Sequence, residues 1–228
     1  MHNTVILLGH KARSGKDTLA DYMASYYGFK RFSFAAKVKS IVSDLYHMPI
    51  TDDNKETQDK RYPNLIDQSH IPNPDQWPGA DEINFALDHG VKYEDMLIKN
   101  PNFKSHLTPR RLLQIFAQQQ RKICPTIWAD YVFNTINSIV DECFLTDQYN
   151  VVISDFRYLN EYEVAKKWVS SGLNRKIYCI RIDRENINKI DDESENDLNS
   201  FNHWDYIFTN NGSKEDLFNQ FSKLYNTL

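Results

Sequence analysis

Cysteine and glycine are scarce in this chain, and it has neither a membrane-length apolar run nor an excess of basic residues. Its 228 residues include three cysteines, Cys124, Cys143 and Cys179, which fall singly and in no CxxC spacing. A disulfide scaffold and a cysteine-rich zinc site are therefore disfavoured. The apolar run Val5-Ile6-Leu7-Leu8 is far short of the ~18 residues that cross a bilayer. Met1-His2-Asn3 supplies no basic segment ahead of it, so no export signal is expected. With 27 Lys+Arg against 31 Asp+Glu the net charge is −4, and the charges are mixed along the chain. That balance argues against broad electrostatic capture of nucleic acid. The expectation is a soluble intracellular protein, cytoplasmic (in the host if viral), with neither nucleic acid nor membrane among its partners.

What is present suffices for a sizeable core. Hydrophobic residues make up 41% and aromatics 13%, over a length that fits one α/β domain with insertions. Glycine occurs only seven times, so each one is informative, and two lie in Gly9-His-Lys-Ala-Arg-Ser-Gly15-Lys16-Asp17-Thr18. Just before this stretch Thr4-Val-Ile-Leu-Leu8 reads as a buried strand. Just after it Leu19, Met23 and Tyr26 to Tyr27 recur at helical spacing up to Gly28, a C-cap signal. Strand, glycine loop and helix open a nucleotide-binding α/β domain.

The same rhythm continues. Phe29 to Phe34 is expected as a strand and Lys37 to Met48 as a helix stopped by Pro49. Val151 to Asp155 and Lys176 to Ile182 are buried-strand patterns, with a helix over Asn160 to Ser171 between them, ended by Gly172. Asp205 to Thr209 reads as a last strand. Ser213 then caps a helix in which Glu215 stands one place off the capping-box position, and Leu217, Phe221, Leu224 and Leu228 share one face. Strands alternating with helices predict a parallel sheet of about five strands with helices on both faces. Two regions interrupt it. Residues 51–107 hold five of the eight prolines and read as an irregular insertion, with a short helix near Asp81 to His89. Asn186 to Ser200 is acidic, either a solvated disordered loop or a lid over a nucleotide.

Chemistry concentrates at three places. Backbone N–H groups converging at a helix N-terminus cradle phosphate, and Lys16 adds a point charge that reaches the β- and γ-phosphates. The loop departs from GxxxxGK[ST] in two ways: His10 takes the first-glycine position, and Asp17, followed by Thr18, takes the place of the hydroxyl metal ligand. A carboxylate there can also hold Mg²⁺, directly or through water. Asp155 ends a buried strand, where such sheets place ligand groups, and Arg157 follows it. Asp155 can orient Mg²⁺ through water, hydrogen-bond an acceptor, or cap the next helix. Thr108 and Pro109 start a helix on which Arg110, Gln114, Ala117 and Arg121 share a face, with Leu112, Leu113, Ile115 and Phe116 covering the rest. That face is either solvated or grips a phosphate and reads a base. Trp128, in Pro125-Thr-Ile-Trp128, is either core or a stacking surface for a ring.

These stretches resemble the bacteriophage-type deoxynucleoside monophosphate kinases, a branch of the P-loop nucleoside-monophosphate kinases. The matching segments are Lys11 to Thr18, Phe34 to Lys39, Thr108 to Gln114, Pro125 to Trp128, Val152 to Arg157 with Asn160-Glu161, and Asp205 to Ser213. The resemblance implies one P-loop kinase domain over 1–228. Its parts are the phosphate loop and start of the core (1–50), the insertion (51–107), the core with acceptor helix and Asp155 strand (108–185), an acidic lid-like loop (186–203), and the last strand and helix (204–228). It implies transfer of the ATP γ-phosphoryl group to a deoxynucleoside 5′-monophosphate with Mg²⁺, and members of such families are often dimers. By the same resemblance, Arg13, Ser14, Gly15, Lys16, Asp17 and Thr18 bind the donor phosphates, while Asp17, Thr18 and Asp155 arrange the metal. Lys39, Arg110, Arg111, Gln114, Trp128, Asp155 and Arg157 surround the acceptor. Arg181, Arg184 and the acidic loop form the lid, with Arg184 joining Lys16 and Asp17 as a catalytic group. A P-loop kinase for dephospho-coenzyme A, phosphomevalonate or a nucleoside has the same loop. So has an ATP- or GTP-binding switch protein.

Overall fold

The computed structural model describes residues 3–46, 50, 109–142, 149–185 and 196–227. Five strands, β1 (Asn3–Gly9), β2 (Lys30–Phe32), β3 (Asn150–Phe156), β4 (Arg175–Asp183) and β5 (Tyr206–Thr209), form one sheet in the order β2-β3-β1-β4-β5. Every neighbouring pair is parallel. Helices α1 (Lys16–Tyr27), α2 (Phe34–Tyr46), α3 (Pro109–Ile123), α4 (Ile127–Glu142), α5 (Leu159–Ser170) and α6 (Lys214–Tyr225) alternate with or interrupt the strands. The chain divides into two compact units, one of Met1–Phe34 with Val132–Leu228, the other Ala35–Tyr131.

The first unit contains the sheet. Val5, Ile6, Leu7 and Leu8 in β1, and Val151, Val152 and Ile153 in β3, are buried on both faces, as the continuous apolar runs require. One face packs Ile6, Leu8, Val152, Ile180 and Ile182 against Leu19, Ala20 and Met23 of α1 and Leu217, Phe221 and Leu224 of α6. Burying such side chains removes roughly 2 kcal/mol each of unfavourable hydration. β1 is central, flanked by β3 and β4: the chain runs from β1 out to β2, turns back to β3, then crosses β1 to β4 and β5. The crevice at the carboxyl ends of these strands is where ligands meet such sheets.

In the second unit Phe116 and Trp128 lie with ring centroids 6.1 Å apart, and Trp128 Nε1 donates to the Ala117 carbonyl at 3.4 Å. Thr126 Oγ1 donates to Asp130 at 2.6 Å, a local bond at the start of α4.

Several boundaries differ from expectation for identifiable reasons. β2 is only Lys30–Phe32, and α2 begins at Phe34 rather than Lys37. Asp155 accepts hydrogen bonds from Ser33 Oγ at 2.7 Å and from the Phe34 N–H at 2.9 Å, so a carboxylate from β3 starts this helix early. At α6, Ser213 accepts from the Asp216 N–H and Asp216 bonds back to the Ser213 N–H, so Asp216 rather than Glu215 completes the capping box. At the end of the acidic stretch, Asp197–Ser200 is a short 3₁₀ turn anchored by the buried Leu198, while Asn199 and Ser200 stay exposed. The expected features at 47–49, 51–108, Cys143, 186–195 and Leu228 lie outside the described residues. No helix among the described residues is long and apolar enough to cross a membrane.

Candidate active site

The loop between β1 and α1 turns through left-handed backbone at three residues. His10, Arg13 and Gly15 have positive φ, at 87°, 61° and 106°. For His10 this is a conformation that glycine adopts without strain, which accounts for the glycine usual at this place. Gly15 is the N-cap of α1 and has no side chain to cap with, so no side-chain oxygen caps the first-turn N–H groups, the kind of helix end that can receive an anion. A Cβ on Gly15 would come within 2.3 Å of Asn210 Nδ2. That amide donates to the Ser14 carbonyl at 2.8 Å and holds the oxygen in place.

Lys16 is buried, at 5% exposure. Its Nζ donates to the His10 carbonyl at 3.1 Å, to the Lys11 carbonyl, and to Ser14 Oγ at 3.4 Å. A buried ammonium needs such oxygens, and phosphate oxygens are of the same kind with more charge. The His10 ring lies against β4, with Nδ1 2.8 Å from Asp183 Oδ1 but without the alignment of a hydrogen bond. Arg181 Nε bonds the same oxygen at 2.7 Å. Burial, followed by the positive charge of Arg181, lowers the His10 pKa.

Asp17 is pinned through a single oxygen. Oδ1 accepts from Ser154 Oγ at 2.9 Å and pairs with Arg31 Nη2, while Arg31 Nη1 pairs with Asp21. The Asp17 side chain is nonetheless 74% exposed. Such a carboxylate fits Mg²⁺, which takes one or two protein oxygens and completes its shell from phosphates and water. Thr18, half-buried on the same turn, is a second oxygen. No group of three or more His, Cys, Asp or Glu side chains converges among the described residues. Asp155 uses both carboxylate oxygens to start α2, so the cap alternative holds for a different helix than expected. The helix that follows it, α5, is started by Glu161, which accepts the Arg157 and Tyr158 N–H groups at 2.8 and 3.0 Å.

The carboxyl ends of β1, β3 and β4 thus gather Arg13, Ser14, Gly15, Lys16, Asp17, Thr18, Asp155, Arg157 and Arg184 in the first unit. Arg184 is exposed and its Nη1 reaches the Arg13 carbonyl at 3.5 Å. Lys39, Arg110, Arg111, Gln114 and Trp128 belong to the second unit. Lys39 is exposed on α2, and Arg110 and Gln114 are half-buried on α3. Trp128 is 4% exposed, which takes the core alternative over an open stacking surface. Reasoning from the sequence gave no role to Arg31 or Ser33, and had Ser154 only within the matched segment Val152 to Arg157. It had Asn210 only within a matched segment. A cation two residues into a strand and a serine in an apolar run carry no local signal of a role.

The family model described as deoxynucleotide monophosphate kinase matches residues 4–69, which span β1, the loop, α1, β2 and α2. No curated protein matches by sequence. Among solved structures, an unliganded sugar kinase from Janibacter sp. HTCC2649 overlaps 99% of this chain and 95% of its own, at 10% identity and a TM-score of 0.44. An overlap that loose carries no argument about activity. Fold, loop and family match together define the class: the chain is a kinase. The kinases it resembles, over residues 4–69, are the deoxynucleotide monophosphate kinases.

Proposed function

We propose that this enzyme transfers the γ-phosphoryl group of ATP to a deoxynucleoside 5′-monophosphate, giving ADP and the deoxynucleoside diphosphate. The observation that carries the reading is the buried Lys16 ammonium at the uncapped N-terminus of α1. The family match over 4–69 supports the acceptor class. The acceptor is already an anionic phosphate, so the reaction needs no strong base. It needs positioning, charge neutralisation and exclusion of water.

In this mechanism the loop amides of Arg13 to Thr18 and the Lys16 ammonium hold the donor phosphates. Lys16 exchanges its loop carbonyls for phosphate oxygens as the donor arrives. Asp17 and Thr18 hold Mg²⁺, which when bound supplies positive charge to the polyphosphate. Asp155 acts on the acceptor side by fixing the start of α2, which bears Lys39. Lys39, Arg110, Arg111, Gln114 and Arg157 bind the acceptor, its phosphate through the cations. Trp128 supports α3 from within the second unit. Arg184 stabilises the charge on the phosphoryl group in transit.

The test is an ADP-release assay with ATP against a panel of ribo- and deoxyribonucleoside monophosphates, dephospho-coenzyme A, phosphomevalonate and nucleosides. Turnover with one or more deoxynucleoside monophosphates is expected. Activity confined to the other acceptors would refute the assignment.

A further inference from the structure

A carboxylate at the second residue of α1 is at odds with a phosphate cradle. The hydroxyl residue usual there is neutral, whereas Asp17 brings a full negative charge to the helix end that receives polyphosphate. The fold answers with a cation from another element. Arg31, in β2, turns Nη2 to Asp17 and Nη1 to Asp21, one turn further along α1. Two anchors fix the guanidinium plane, each carboxylate receiving one nitrogen of the fork. Ser154, 2% exposed at the end of β3, donates to Asp17 Oδ1 at 2.9 Å and receives Arg31 Nη2 at 3.4 Å. The contacts fall on one Asp17 oxygen and leave the side chain 74% exposed. An exposed ion pair adds little to stability, so folding alone is a weak reason for this arrangement.

We propose that Arg31 is a positioning residue of the phosphate loop. It offsets the charge of Asp17 while also pairing with Asp21, so that the donor phosphates meet less repulsion at the N-terminus of α1 than an unpaired carboxylate there would give. The proposal rests on the reading of Ser14 to Thr18 as the donor-phosphate site. Its consequence is a dependence between two residues: the loss of Arg31 harms phosphate binding only while Asp17 keeps its charge.

The experiment is calorimetric titration of ADP in EDTA, so that no divalent cation takes part, at low and high salt. The proteins are the wild type, Arg31→Gln, Arg31→Lys, Asp17→Asn and the double variant Asp17→Asn/Arg31→Gln, each with its melting temperature measured. Arg31→Gln is expected to weaken ADP binding at least ~5-fold at low salt, with the deficit shrinking at high salt as screening sets in. Arg31→Lys should bind within about twofold of wild type, because it keeps the charge. Asp17→Asn alone should bind metal-free ADP more tightly, which keeps the proposal open to failure even where Arg31→Gln does not fold. The double variant should recover most of the lost affinity. A deficit that persists in the double variant would mean that Arg31 touches the ligand itself and would overturn the proposal. So would unchanged ADP affinity in Arg31→Gln with only a lower melting temperature, the behaviour of a structural ion pair. Absence of ADP binding in all five proteins would instead remove the phosphate site, and the proposal with it.

Discussion

Lys16 and His10 sit six residues apart on one loop and face opposite requirements. Lys16 keeps a charge in a buried place because loop oxygens surround it. A preorganised cation on a transferring phosphate contributes several kcal/mol, so Lys16→Ala should lower turnover by at least ~10²-fold. Steady-state rates on folded protein check this, and near-normal turnover would take the loop out of the mechanism. His10, by contrast, is held neutral by burial and by Arg181, its pKa depressed in the folded state. The unfolded chain therefore takes up this proton at a higher pH than the folded one. The stability involved is complete above the ordinary histidine value of about 6.5 and is lost as pH falls below it. His10→Gln should flatten the fall in melting temperature between roughly pH 7.5 and pH 5. An identical slope in variant and wild type would contradict the assignment. Neither feature of His10 was legible locally: the sequence marks it as the odd residue in a glycine position, but Asp183 and Arg181 lie on a distant strand.

At the scale of elements, helix ends were the least legible part and the most informative once seen. The periodic patterns located α1, α5 and the start of α6 to within a residue or two, because helical spacing and caps are local. α2 starts early because its first N–H is taken by Asp155, a residue that no local pattern joins to it. α6 offers a direct test of a cap. Ser213→Ala should cost about 1 kcal/mol in urea unfolding near neutral pH. Asp216 is held below the usual carboxylate range by the Ser213 backbone N–H and hydroxyl. A depressed carboxylate stabilises above its unfolded value and loses that contribution as pH falls through its folded one. The difference between wild type and Ser213→Ala should therefore narrow below about pH 4. A constant difference down to acid pH would separate the cap from Asp216.

For the whole molecule, the proposed phosphate site draws on β1, α1, β4 and the turn after β5, so ligand binding there would couple to the stability of the sheet. A ligand at ~100 times its Kd adds about 2.7 kcal/mol to a fold that alone binds it. For a chain of this size that is a rise of roughly 5–10 °C in melting temperature with ADP. Lys16→Ala should abolish most of the rise, and thermal melts with and without ADP measure both. A wild-type melting temperature unmoved by saturating ADP would place nucleotide binding elsewhere.

The sequence by itself determined the alternation of strands and helices, the buried character of β1 and β3, and the glycine loop between β1 and α1. Each of these rests on residues within one or two turns of each other, where apolar periodicity, glycine placement and capping act. Tertiary structure alone decided the partners of the charged groups. Arg31 meets Asp17 across 14 residues, Asp155 meets Phe34 across 121, and Asn210 meets Ser14 across 196. These meetings follow from the strand order β2-β3-β1-β4-β5, which sets the ends of distant segments side by side. A local pattern can give a residue a helix or a strand to sit on, but a charge acquires its neighbour only when the sheet has closed around it.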